Sequence, residues 1–199
     1  MFVRSATGTL GIVMDLGNVF RRLSGVLLAS GTPYMLTGSF ASSYYGALRG
    51  TQDIDLVVTP SPQQFNQLLQ QLQVSDYYAD GFALTAYREQ SMFNAIDNET
   101  GWKIDFIFCK SRPYSQEAFR RRQEVTFQGV PFFVATAEDV VLAKLEWSKM
   151  GESRRQFEDA ANVLKKQWNS LDSQYLDRWA ANLEIDDELK SAREFAALP

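Results

Sequence analysis

Residues 53–59 read Asp53-Ile54-Asp55-Leu56-Val57-Val58-Thr59, and their reading decides the fold. The β-branched run predicts a mostly buried strand, and successive side chains of a strand point to opposite faces. Asp53 and Asp55 then share one face while Ile54, Leu56 and Val58 pack on the other. Two carboxylates on such a strand are costly unless positive charge compensates them, and a divalent cation bound by oxygens would do so. An edge strand with two solvated aspartates is the other reading of the same pair.

Working outward, residues 91–97 and 102–108 form two further strands joined by Asn98-Glu99-Thr100-Gly101, whose Asn and Gly suit a turn, so a hairpin is expected. Within Trp102-Lys103-Ile104-Asp105-Phe106-Ile107-Phe108, Lys103, Asp105 and Ile107 share a face opposite Ile104, Phe106 and Phe108. An acid inside so apolar a run is unusual. If this strand lies beside 53–59, three carboxylates converge on a site for one or two cations; a salt bridge from Asp105 to a neighbouring Lys or Arg is the alternative. Upstream, the short strand Tyr34-Met35-Leu36-Thr37 runs into Gly38-Ser39 and a small-residue helix from Phe40 to Leu48. Glycine lets a phosphate approach the backbone, the helix start offers free N–H groups, and Ser39 adds a hydroxyl. It is not a P-loop, for no G-x-x-x-x-G-K-[ST] occurs in the chain.

The remaining elements follow from period and punctuation. Leu16, Val19, Phe20, Leu23, Val26 and Leu27 recur at helical spacing, predicting an amphipathic helix over 15–29. Ser61 and Pro62 cap and open a helix to about Leu72, another covers about 80–89, and a third lies near 115–123. Residues 124–134 suggest a small hairpin around Gly129. Thr136 with Asp139 opens a helix to about 149, followed by helices over 153–167 and two more within 172–196. The fold class expected is α/β, with a mixed-sheet core and N-terminal helix over residues 1–134 and a helical subdomain over 135–199 packed on it.

Composition closes several doors. The 199 residues include no histidine and one cysteine, Cys109. Imidazole-based nucleophile relays, His-bearing metal sites, internal disulfides and multi-cysteine clusters are excluded. Acids, bases and ligands must be Asp, Glu, Lys, Ser, Thr or Tyr, and a metal should be a hard one such as Mg²⁺ or Mn²⁺. No run is long and apolar enough for a membrane span, and the start lacks a secretory h-region, so a cytoplasmic protein is expected. The net charge is −4, yet residues 100–166 hold 12 Lys/Arg against 9 Asp/Glu, so a polyanion would meet that segment.

Taken together, Gly38-Ser39, a thirteen-residue gap, Asp53-Ile54-Asp55-Leu56 and then Asp105 in a later apolar strand resemble the nucleotidyltransferase superfamily with the DNA polymerase β-like palm. The likeness extends to bacterial AbiEii-type toxin nucleotidyltransferases. That group carries a lysine in an acidic-apolar helix, matched by Lys144 in EDVVLAKLEWSK, and then an Arg-x-x-x-Asp-like helix, matched by Asp159 in RRQFEDAANVL. Trp147 and Lys149 depart from the alanine and arginine with which that group continues its lysine helix. Read from the helix alone, Lys144 either snorkels to solvent or meets a phosphate, and Asp159 pairs with Arg155 one turn earlier.

The resemblance implies Mg²⁺ (or Mn²⁺) and a nucleoside triphosphate as cofactor and substrate. Asp53, Asp55 and Asp105 are the implied metal ligands and catalytic acids; Gly38, Ser39, Lys144 and Asp159 are implied to bind the nucleotide, Lys144 also counting as catalytic. The acceptor is an RNA end, a protein hydroxyl or a small molecule, and a cognate antitoxin is an implied partner. Arg120, Arg121, Arg122, Lys149, Arg154 and Arg155 make RNA conceivable; the acidic remainder argues against duplex DNA. A nucleotide-binding module without turnover and a Mg²⁺-dependent phosphohydrolase are the rival readings.

Overall fold

A computed structural model describes residues 7–47, 50, 51 and 53–198, the stretch 7–15 by its backbone alone. Its centre is a mixed sheet. The strands are β1 (Tyr34–Leu36), β2 (Asp53–Val58), β3 (Tyr77–Ala79), β4 (Met92–Asp97), β5 (Lys103–Phe108), β6 (Gln123–Phe127) and β7 (Val130–Val134), ordered β3-β4-β5-β2-β1-β7-β6. The pairs β2–β5 and β1–β7 are parallel, and the other neighbours are antiparallel. Both expected hairpins are present, as β4–β5 and β6–β7.

Around the sheet stand α1 (Thr7–Ser30), α2 (Gly38–Tyr44), α3 (Pro62–Val74), α4 (Ala83–Glu89), α5 (Pro113–Arg121), α6 (Ala137–Gly151), α7 (Arg154–Gln167), α8 (Ser173–Leu183) and α9 (Asp186–Phe195). Local chemistry sets their ends. Ser61 accepts from the Gln64 N–H while the Gln64 side chain accepts from the Ser61 N–H, a reciprocal cap on α3 with Pro62 in the first turn. Thr136 caps α6 by accepting from the Asp139 N–H.

Three boundaries differ from expectation. Helix α1 begins at Thr7, because Gly8 and Gly11 weaken the helical signal upstream of residue 15 without breaking the helix. Strand β3 has three residues, too few for alternation to show in sequence. The expected end of the small-residue helix at Leu48 lies outside the described residues, and α2 ends at Tyr44.

One face of the sheet is apolar and carries the core: Ile54, Leu56 and Val58 of β2 with Ile104, Phe106 and Phe108 of β5, all buried. Phe93 stacks on Phe106 with ring centroids 4.9 Å apart, and Phe65 of α3 meets Phe93 and Phe108 edge-on. Burying such rings supplies most of the driving force. The other face of the same strands is left to Asp53, Asp55, Lys103, Asp105 and Ile107, with α2 and α6 beside it. No helix among the described residues is long and apolar enough to cross a membrane.

Candidate active site

Strands β2 and β5 pair in register, so Asp53 stands opposite Lys103 and Asp55 opposite Asp105. Period-two alternation puts all four side chains on one face. The carboxylates nevertheless sit in different surroundings. Asp105 is buried at 8 % exposure, Asp55 is largely buried, and the Asp53 side chain stays half-exposed at the rim.

The backbone of the Gly38-Ser39 turn closes over Asp55. Gly38 has φ +63°, and a Cβ there would fall inside the Asp55 carboxylate, with Cγ at 2.6 Å. Only glycine allows this approach, for both steric and conformational reasons. The Ser39 N–H donates to Asp55, and the Thr37 N–H donates to the Asp55 carbonyl at 2.9 Å. Burial, the neighbouring Asp105 and then Asp53 push the Asp55 carboxyl up to about 6, against the opposing pull of Lys144 and the Ser39 N–H.

Lys144 does not snorkel. It is buried on α6 and donates to Asp159 on α7 at 2.9 Å, both side chains being nearly inaccessible. The expected Arg155–Asp159 pair is replaced by this interhelical one, because α6 and α7 cross closely and turn Asp159 inward. Lys144 lines a cavity of about 270 Å³ together with Gly38, Ser39, Asp55 and Asp105, so five of the seven sequence-derived candidates share one space. Asp53 stands on its rim strand and Asp159 behind Lys144. Replacing Asp159 by alanine would leave the Lys144 charge without its 2.9 Å partner. The expected loss is roughly 3–5 kcal/mol in urea unfolding, and a loss under about 1 kcal/mol would contradict a buried ion pair.

Seven further residues line the cavity that the sequence did not assign to the site, among them Ile107, Trp147 and Gln156. An apolar strand position, a helix tryptophan and a glutamine carry no motif, and neither do Thr37, Met92, Val140 and Ala143. Lys103 was visible as a face-mate of Asp105, two residues away. Its Nζ lies 3.0 Å from Asp105, the salt bridge foreseen as the alternative for that acid, and 3.9 Å from Asp53. A second recess of about 170 Å³ continues the first through Thr37, Ile107, Ala143 and Trp147 and is walled by Met35, Val57, Tyr114 and Met150, with the Arg112–Glu146 ion pair beside them.

The basic segment is only in part a free cationic surface. Arg121 pairs with Glu138 and Asp139 and lies 3.5 Å over the Tyr175 ring, Arg122 stacks on Phe119, and Arg120, Lys149 and Arg154 pair with Glu117, Glu188 and Glu158. Arg121 is thus drawn into the fold and Arg122 partly so, whereas Arg120 and Arg154 keep exposed side chains paired only with neighbours on their own helices and Arg155 is exposed.

The donor set suits a hard divalent cation. Its oxygens are carboxylates, their mutual repulsion raises Asp55, and Asp105 Oδ1 is buried without a hydrogen-bond donor even though the Lys103 ammonium stands beside it. Among the described residues, no three acidic side chains come close enough to make a ready metal cage, since Asp53 turns toward Lys103.

No protein-family model matches the chain, and no curated protein matches it. Solved structures do. The solution structure of the antibiotic-resistance factor ANT(2'')-Ia superposes with TM-score 0.60 at 10 % identity, over 92 % of this chain and 98 % of that one. The crystal structure of ANT(2'')-Ia in complex with adenylyl-2''-tobramycin gives 0.56 at 11 % identity, over 85 % and 97 %. An antigenic nucleotidyltransferase-like protein from Paracoccidioides brasiliensis gives 0.55 at 18 % identity, over 90 % and 92 %. The chain has the nucleotidyltransferase fold.

Proposed function

We propose that the protein transfers a nucleoside monophosphate from a nucleoside triphosphate to a hydroxyl acceptor. The observation that carries this reading is the in-register pairing of Asp55 with Asp105 beneath the glycine that Asp55 requires. In the reaction the acceptor oxygen bonds to the α-phosphorus, the bond from that phosphorus to the β-phosphate oxygen breaks, and pyrophosphate leaves. Asp53 and Asp55 would hold Mg²⁺ or Mn²⁺ against the triphosphate; when bound, the cation neutralises phosphate charge. The Gly38 N–H and the Ser39 hydroxyl would donate to phosphate oxygens, the Ser39 N–H being held by Asp55. Lys144, kept in place by Asp159, adds positive charge on the opposite wall. Asp105, the deepest of the three acids, accepts the proton of the acceptor hydroxyl.

The acceptor we favour is a small molecule with an apolar body. The recess beyond Asp105 is mainly apolar and of small volume, and two of the arginines expected to meet RNA, Arg121 and Arg122, are engaged within the fold. The ANT(2'')-Ia complex holds adenylyl-2''-tobramycin, an adenylylated small molecule, on the same fold. The AbiEii-like reading, with an antitoxin partner, rests on Lys144 and Asp159 alone.

The test uses α-labelled nucleoside triphosphates with Mg²⁺ and three acceptor sets: hydroxylated small molecules, total RNA and protein. Label should move to a small molecule, with pyrophosphate released, and Asp53→Asn should reduce this by at least about 10²-fold. Undiminished transfer by Asp53→Asn would refute the mechanism; tight nucleotide binding without transfer to any acceptor would favour a binding module.

A further inference from the structure

The β2–β5 register makes Lys103 a fixed part of the site. It is the cross-strand partner of Asp53 and lies two residues before Asp105 on the same face, so the fold delivers its ammonium between these two carboxylates. The Nζ is 3.0 Å from both Asp105 oxygens and 3.9 Å from Asp53 Oδ1. Hydrogen-bond geometry is met at Asp105 Oδ2, while the buried Oδ1 has the Lys103 ammonium beside it but no hydrogen-bond donor.

From this placement we infer that Lys103 replaces a second divalent cation: its ammonium neutralises Asp53 and Asp105 from within the chain, and the site takes one divalent cation rather than two. The inference rests on the proposed role of the three carboxylates. A compact positive charge at 3 Å supplies what a second cation would supply there, namely compensation for two acids and a fixed orientation of Asp105. Lys103 is thereby a positioning residue that acts through Asp105.

The experiment measures Mn²⁺ binding by calorimetry and electron paramagnetic resonance, with a non-hydrolysable α,β-methylene triphosphate present, for the wild type, Lys103→Met, Lys103→Arg and Asp55→Asn. One Mn²⁺ per chain is expected in the wild type and in Lys103→Arg, and two in Lys103→Met, the second weaker. Transfer by Lys103→Met should fall at least tenfold in low Mg²⁺ and recover in part at high Mn²⁺, while Lys103→Arg stays near wild type. Two sites in the wild type, or one unchanged site and unchanged metal dependence in Lys103→Met, would overturn the assignment to Lys103. Binding by the wild type no stronger than by Asp55→Asn would instead overturn the carboxylate reading on which it rests.

Discussion

Asp55→Asn is expected to lower transfer by roughly 10³-fold or more while raising the stability of the metal-free protein at pH 8. The two effects share one cause. Asp55 is held in a poorly hydrated place beside Asp105 and Asp53, and its carboxyl is pushed from 3.8 in the unfolded chain up to about 6. Below pH 3.8 both states are protonated and the site costs nothing. Between 3.8 and 6 the folded state holds the proton more tightly, so stability falls as pH rises; above 6 the penalty is complete, at most roughly 3 kcal/mol for a two-unit shift. Asparagine keeps the shape and removes the charge. Its gain should therefore be larger at pH 8 than at pH 5 by about 1 kcal/mol, read from urea unfolding at the two values. With Mg²⁺ and a triphosphate analogue the order should reverse, since a ligand stabilises only the protein that binds it. A stability gain independent of pH, or retained transfer, would contradict the account.

The same carboxylate shows how far the sequence was readable. Alternation along 53–58 and 103–108 sorted each strand's residues between a core face and a charged face, because that sorting needs only the two-residue period. The alignment of Asp55 with Asp105 is a fact about tertiary pairing, conditional in the sequence and realised in the parallel β2–β5 ladder. Gly38-Ser39 signalled a close backbone approach, and the group approaching in the structure is Asp55 itself. Sequence logic failed where partners lie far apart along the chain. Asp159 has an arginine one turn away and yet bonds to Lys144, fifteen residues upstream, since the α6–α7 crossing sets the neighbourhood. Arg121, read as a free cation, is held by Glu138, Asp139 and Tyr175, none of which periodicity could connect to it. Local period predicts which face a residue occupies; charge partners are decided by packing.

Gly38→Ala should be the most damaging single-methyl change in the site, destabilising by roughly 2–4 kcal/mol and removing most transfer activity. Two costs combine. The backbone sits at φ +63°, where an L side chain is strained by roughly 1–2 kcal/mol. The new Cβ would also meet Asp55 head-on, with Cγ at 2.6 Å and Cβ at 3.0 Å, so the carboxylate or the α2 turn must shift. A shifted carboxylate loses its Ser39 N–H and its alignment with Asp105, so the methyl reaches the chemistry through Asp55. Gly101 separates the two costs, because it has φ +74° with nothing near its missing Cβ. Gly101→Ala should show the strain alone and leave transfer intact. In the double variant Gly38→Ala with Asp55→Ala, the carboxylate is gone and stability should recover toward the Gly101→Ala level while activity stays lost. Urea unfolding of the four proteins, with transfer assays on each, tests the argument. If Gly38→Ala is no less stable than Gly101→Ala, Asp55 does not lie against the turn, and the geometry that supports the proposed function is wrong.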